Sequence, residues 1–168
     1  EAKKEQEEFI QYTLDKCRRS SVPVALHLDH GPSYEEVMMA IHMGCTSVMF
    51  DGSSLPFEEN VRITKEVVKV AHVCGVTVEA EIGHVAGHEG NMLDGNVPDE
   101  SAYTTVEEAT RFYEETNVDC LAIAIGTVHG VYKGEPHLDY KRLQAIRDKM
   151  PIPLVMHGGS GLSPEDFR

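Results

Sequence analysis

The chain has 168 residues, 41% of them hydrophobic, with no low-complexity tract, a length and balance that suit one packed domain. A formal net charge of -13 disfavours nucleic acid and anionic membrane as partners, because both call for a basic footprint. No run reaches the about 18 apolar residues of a membrane span, EAKKEQEE lacks the features of a signal peptide, and the four cysteines form no C-x-x-C pair, so a reduced, cytoplasmic chain is expected.

Residues 1–20 read as a charged helix whose apolar face is FIQYTLDKC. A first buried strand is expected over residues 22–28 (VPVALHL), followed by a helix that Pro32 and Ser33 open and Gly44 closes. Residues 46–50 (TSVMF) form the second strand, and Pro56 opens a long helix that Gly75 ends. Residues 76–82 (VTVEAEI) are the third. After it, residues 83–103 carry four glycines and no helical period, which marks a functional loop over an active site rather than a simple connection. Thr104 or Thr105 caps VEEATRFYEET, whose Glu107 and Glu108 suit the positive end of a helix dipole. The fourth strand is 120–125 (CLAIAI), Asp139 caps YKRLQAIRDKM, and the fifth strand is 152–156 (IPLVM).

Strands alternating with amphipathic helices imply a parallel α/β sheet with right-handed crossovers. Periodicity leaves both a doubly wound sheet and a barrel open. Either way the carboxyl ends of the strands share one face, and here those ends carry the polar groups: HLDHG, DGSS, EAEIG, GTVHG and HGGSG.

Of nine histidines, His30, His129 and His157 alone combine a strand end with a following glycine. Three neutral imidazoles with one coordination position left open are what a catalytic zinc uses. His42, His72, His84 and His137 have no comparable claim. Asp29 precedes His30, and strict alternation would send the two to opposite faces, so the strand must end or bend near Gly31 and Pro32. Asp29 is then a general acid/base beside the metal or a carboxylate that orients an imidazole. Glu79 and Glu81 share one strand face, and buried carboxylates need a cation or a hydrogen-bond network, which Asp51 can join. HGGSG presents backbone N–H groups suited to an anion, with Lys133 a candidate source of positive charge.

Taken together, HLDHG, VEAEIGHVAGHE, GTVHGVYKGEP and LVMHGGSG resemble the class II fructose-bisphosphate and tagatose-bisphosphate aldolases, from about residue 22 to 166. The resemblance implies a (β/α)8 TIM barrel of which residues 1–168 supply a single partial domain, about five of eight β/α units. It implies zinc ligation by His30, His129 and His157, and a second, inner metal position at Asp51 and Glu81. Asp29 is similar to the acid/base that handles the C4 hydroxyl proton, and Glu89 to the loop glutamate that moves the proton on the dihydroxyacetone phosphate carbon. Gly130, Lys133, Gly158, Gly159 and Ser160 look like phosphate and substrate contacts. The carbonyls of Val128, Gly130, Gly158 and Ser160 look like ligands of a monovalent cation, Na+ or K+. Three positions depart from the family pattern: Ala86 replaces the first glycine of a pair, His88 a Gln or Glu, and Ser54 the histidine of DGSH.

The implied reaction is reversible cleavage of a ketose 1,6-bisphosphate into dihydroxyacetone phosphate and glyceraldehyde 3-phosphate, by a homodimer or homotetramer in the complete protein. Two alternatives stand beside it. A zinc hydrolase on the same fold would not need the phosphate loop and Lys133; a non-catalytic aldolase-like subunit would not need the three histidines and Asp29. The five-stranded chain alone is expected to be inactive and poorly stable, because open sheet edges leave its core incomplete.

Overall fold

The computed structural model describes residues 2–85, 100–130, 132 and 136–167. Five short strands form, and each of the first four is followed by a segment that carries the chain back to start the next in parallel. The strands are β1 (His27–Gly31), β2 (Ser47–Phe50), β3 (Thr77–Ile82), β4 (Cys120–Ile123) and β5 (Leu154–Val155). The helices are α1 (Ala2–Arg18), α2 (Tyr34–Met43), α3 (Phe57–Val73), α4 (Val106–Thr116) and α5 (Tyr140–Arg147). All neighbouring strands are parallel and lie in the order β1-β2-β3-β4-β5. A doubly wound sheet reverses its strand order at a switch point. This sheet never does, so the winding is that of a barrel wall.

The alternation along β3 divides the sheet into two faces. Val78, Ala80 and Ile82 join Val48, Phe50, Leu121 and Ile123 in an apolar layer against α2 to α5, with Val37, Val67, Ala71, Phe112 and Ile146 among its partners. Glu79 and Glu81 point the other way and are buried all the same. Helix caps fix where the crossovers begin. Ser33 accepts a hydrogen bond from the Glu36 N–H at the start of α2, and Gly44 closes that helix at φ 106°, a left-handed conformation suited to glycine. Thr105, not Thr104, caps α4, through a reciprocal capping box with Glu108. Thr104 is buried instead: its hydroxyl donates to the Ile82 carbonyl at 2.7 Å and accepts from the Ala124 N–H at 2.9 Å. That single side chain ties the end of β3 to the end of β4.

The first strand departs from the sequence expectation. It occupies His27–Gly31 rather than residues 22–28, and Val22 and Val24 are exposed. A ladder needs a partner, and β2 begins only at Ser47, opposite His27. Pro23 offers no N–H, and β1 is the edge of the sheet. The fifth strand is shortened to Leu154–Val155, at the other edge. Beside β1 an apolar groove of about 560 Å³ runs between Phe9, Ile10, Leu26, Leu28, Met39 and Met43. No helix among the described residues is long and apolar enough to cross a membrane.

Candidate metal centre

The site starts from a fault in β1. Leu28 lies opposite Val48 and Gly31 opposite Phe50, so β1 carries one residue more than β2 over this stretch. This is a β-bulge, and His30 sits in it with φ 48°, a sparsely populated conformation for a side-chain-bearing residue. The expected bend is therefore present, centred on His30 itself. Gly31 allows it: a Cβ there would lie 2.5 Å from the Met49 carbonyl oxygen and 2.8 Å from a Val37 methyl.

The bulge puts the His30 ring among groups from three other strand ends. Its Nδ1 lies 2.8 Å from Asp51 Oδ2 and 3.9 Å from Glu81 Oε2, while its Nε2 lies 3.1 Å from His157 Nδ1 and 3.9 Å from Asp29 Oδ1. The Nε2 of His157 in turn bonds Glu79 Oε1 at 2.8 Å. The His129 ring stands edge-on to His30 at 5.2 Å between centroids and 6.0 Å from that of His157. Two groups result, each with ligand atoms within 4.8 Å of one another: His30, His129 and His157, and His30, Asp51 and Glu81. His30 belongs to both. The expected zinc triad and the expected inner carboxylate pair are thus each brought together, and they meet at one imidazole.

The electrostatics fit a place built for a cation. The bond to Asp51 raises His30 to about 9 against the opposing effect of burial, with the Glu81 and Asp29 charges adding to the rise. Burial pushes the Asp51 carboxyl up, but bonds from His30 and from the Ser53 hydroxyl and N–H outweigh it and bring it down to about 2. Glu81 goes the other way. Burial and the neighbouring Asp51 charge push it up to about 7. It is 2% exposed, and its Oε2 has no hydrogen-bond partner among the described residues. An orphaned buried carboxylate oxygen beside an imidazole and a second carboxylate is the donor set a metal ion satisfies, so the residues fit such a group.

Glu79 and Glu81 divide the two roles that their shared face left open. Glu81 joins the metal-competent group; Glu79 enters a hydrogen-bond network with His157, and accepts from the Cys120 thiol at 3.8 Å. Burial next to Glu79 pushes that thiol up to about 12. Asp29, half exposed, stands 3.9 Å from His30 Nε2, the nitrogen that also faces His157.

The glycine-rich loop expected to meet an anion follows directly on His157. Gly158 has φ 73°, and a Cβ on it would strike the Val128 backbone at 2.6 Å; residues Gly159–Gly161 form one 3-10 turn. Gly130 adjoins the same loop, since a Cβ on Gly161 would lie 3.3 Å from its carbonyl oxygen. Gly130, Gly158, Gly159 and Ser160 thus lie in two loops that touch. Ser54 is exposed after β2. Ala86, His88, Glu89 and Lys133 lie outside the described residues, as does most of the 83–103 loop.

Sequence reasoning passed over Asn60. It is buried on α3, donates to the Glu81 carbonyl at 2.9 Å and accepts from Thr64 at 3.1 Å. The signal was available: Asn60 and Thr64 fall in helical register with Val67, Val68 and Ala71 on the buried face of α3. Tyr132 was also passed over.

The fold and site define a metal-competent (β/α) barrel wall, with its ligand-bearing residues gathered near the carboxyl ends of the strands. The family model for class-II fructose-bisphosphate aldolase matches residues 2–168, and the chain belongs to that family. It is 50% identical over 148 residues to a fructose-bisphosphate aldolase of Geobacillus stearothermophilus, covering 88% of this chain and 50% of that protein. It is 49% identical to a 6-phospho-5-dehydro-2-deoxy-D-gluconate aldolase of Shouchella clausii, covering 88% of this chain and 49% of that protein. The crystal structure of the YdjI aldolase from Escherichia coli K12 superposes with a TM-score of 0.81 at 39% identity, over 95% of this chain and 54% of that one. The chain spans about half the length of the curated relatives it matches.

Proposed function

We propose that the full protein carrying this chain is a zinc-dependent class II aldolase. It reversibly cleaves a ketose 1,6-bisphosphate, fructose or tagatose, into dihydroxyacetone phosphate and glyceraldehyde 3-phosphate. One observation carries the reading: His30 in β1, His129 in the loop after β4 and His157 in the loop after β5 bring ligand atoms within 4.8 Å of one another beside Asp29. Zinc held by three imidazoles supplies a positive charge that stabilises the negative charge developing on the substrate oxygens. No lysine lies in any of the five strands, which accords with a mechanism that needs no Schiff base.

The chain's own groups do the rest. Asp29 takes the C4 hydroxyl proton in cleavage and returns it in condensation. Glu89 exchanges the proton on the dihydroxyacetone phosphate carbon. Gly130, Lys133, Gly158, Gly159 and Ser160 hold phosphate, while the carbonyls of Val128, Gly130, Gly158 and Ser160 hold Na+ or K+. Asp51 and Glu81 form the inner metal position with His30, and the orphaned Glu81 oxygen supports that assignment. The complete protein works as a homodimer or homotetramer.

The test uses the full-length gene product. Fructose and tagatose bisphosphates and 6-phospho-5-dehydro-2-deoxy-D-gluconate are assayed together, with a generic ester to detect hydrolysis. Cleavage of a phosphorylated ketose, abolished by chelation and restored by Zn2+, is expected. Undiminished cleavage after exhaustive chelation, or ester hydrolysis alone, overturns the proposal.

A further inference from the structure

Two of the candidate ligands, His129 and His157, lie in separate loops, and the residues next to them, Val128 and Gly158, are held by one hydroxyl. Tyr132 Oη accepts from the Val128 N–H at 3.2 Å and donates to the Gly158 carbonyl at 3.0 Å. Val128 precedes His129 and Gly158 follows His157. The same side chain packs on the anion loop: a Cβ on Gly161 would lie 2.6 Å from Tyr132 Cδ2, so the ring rests against bare backbone. Gly158 closes the arrangement, because a Cβ there would overlap the Val128 peptide.

We infer that Tyr132 is a positioning residue that fastens the loop after β4 to the loop after β5, setting both the spacing of His129 and His157 and the conformation of residues 158–161. The hydroxyl uses its donor and an acceptor on two loops 26 residues apart in sequence from Tyr132 to Gly158, so neither loop can shift without breaking a bond. The functional consequence rests on the proposed phosphate role of Gly158, Gly159 and Ser160. Tyr132 itself touches neither metal nor substrate; it orders the N–H groups that meet the phosphate.

The test compares Tyr132→Phe with wild type in the zinc-loaded full-length protein, by calorimetric binding of inorganic phosphate and by steady-state kinetics with fructose bisphosphate. Loss of the hydroxyl strands a backbone N–H and a carbonyl, so the phosphate Kd and the KM are expected to rise about tenfold while kcat changes far less. Thr104→Val is the matched control, since it removes a buried hydroxyl with the same two kinds of bond, between Ile82 and Ala124. It is expected to lower the unfolding midpoint and leave the phosphate Kd within about twofold. Should Tyr132→Phe not fold, Gly161→Ala, which displaces the ring, is read in its place with the same expectation. A wild-type Kd in the folded variant, or an equal rise in Thr104→Val, overturns the inference. A wild type that binds phosphate but cleaves no ketose bisphosphate sinks the proposed function and leaves the Kd comparison intact.

Discussion

Glu79 and His157 are joined by a 2.8 Å bond from imidazole Nε2 to the carboxylate. With Nε2 engaged as donor, Nδ1 is the nitrogen left as a lone pair, and it is the one that faces His30 at 3.1 Å. The bond to Glu79 is the largest influence on His157 and raises its pKa. A carboxylate thus selects the tautomer in which His157 can serve a metal.

Glu79→Gln should therefore weaken metal binding without removing any ligand. Outer carboxylates of this kind are worth about 10- to 100-fold in metal affinity. Competition between the protein and a chromophoric chelator for Zn2+ measures it, and an unchanged affinity would show that His157 needs no such brace.

The His30–Asp51 pair should give the metal-free protein a characteristic pH dependence. Asp51 is lowered to about 2, so its contribution is present above its ordinary pKa and is lost as pH falls through about 2. His30 is raised to about 9, so its contribution is full below 6.5 and is lost as pH rises through about 9. The pair therefore stabilises most between about 4 and 6.5. Urea midpoints of the metal-free protein across this range, with Asp51→Asn as the flat comparison, read the effect.

Glu81 has the opposite sign. Its pKa is raised to about 7, so burial of the charged form costs stability that accumulates as pH climbs from 4.5 through about 7. Glu81→Gln should raise the urea midpoint of the metal-free protein at pH 8, and the gain should vanish at pH 4. An equal effect at both values would refute a charge-based cost.

Asn60 holds the strand end that carries Glu81. Asn60→Val would strand the Glu81 carbonyl and the Thr64 hydroxyl in the core, a loss of about 2–3 kcal/mol. Equilibrium urea unfolding measures this. A change below about 0.5 kcal/mol would mean that these groups find other partners.

The 168-residue chain expressed alone should show no ketose-bisphosphate cleavage and a low unfolding midpoint, because β1 and β5 each end the sheet with an unpaired edge among the described residues. Thermal melts and turnover, compared with the full-length gene product, decide it.

Much of this molecule was legible in local pattern. β-branched runs bounded by glycine or proline marked five strands, Ser33 and Asp139 announced helix starts, and His30, His129 and His157 stood out by their following glycines, although only His30 lies in a strand; such signals depend on a residue and its near neighbours. Contacts between distant segments decided the rest. The unreversed strand order chose the barrel winding, and pairing with β2 moved β1 to His27–Gly31 and placed the bulge at His30. Glu79 and Glu81 are alike in sequence; only the positions of His157, His30 and Asp51 gave one a hydrogen-bonded imidazole and left the Oε2 of the other without a hydrogen-bond partner among the described residues. Tyr132 and Asn60 gained their roles from backbone groups brought near by folding, and such groups carry no residue-specific mark in a sequence.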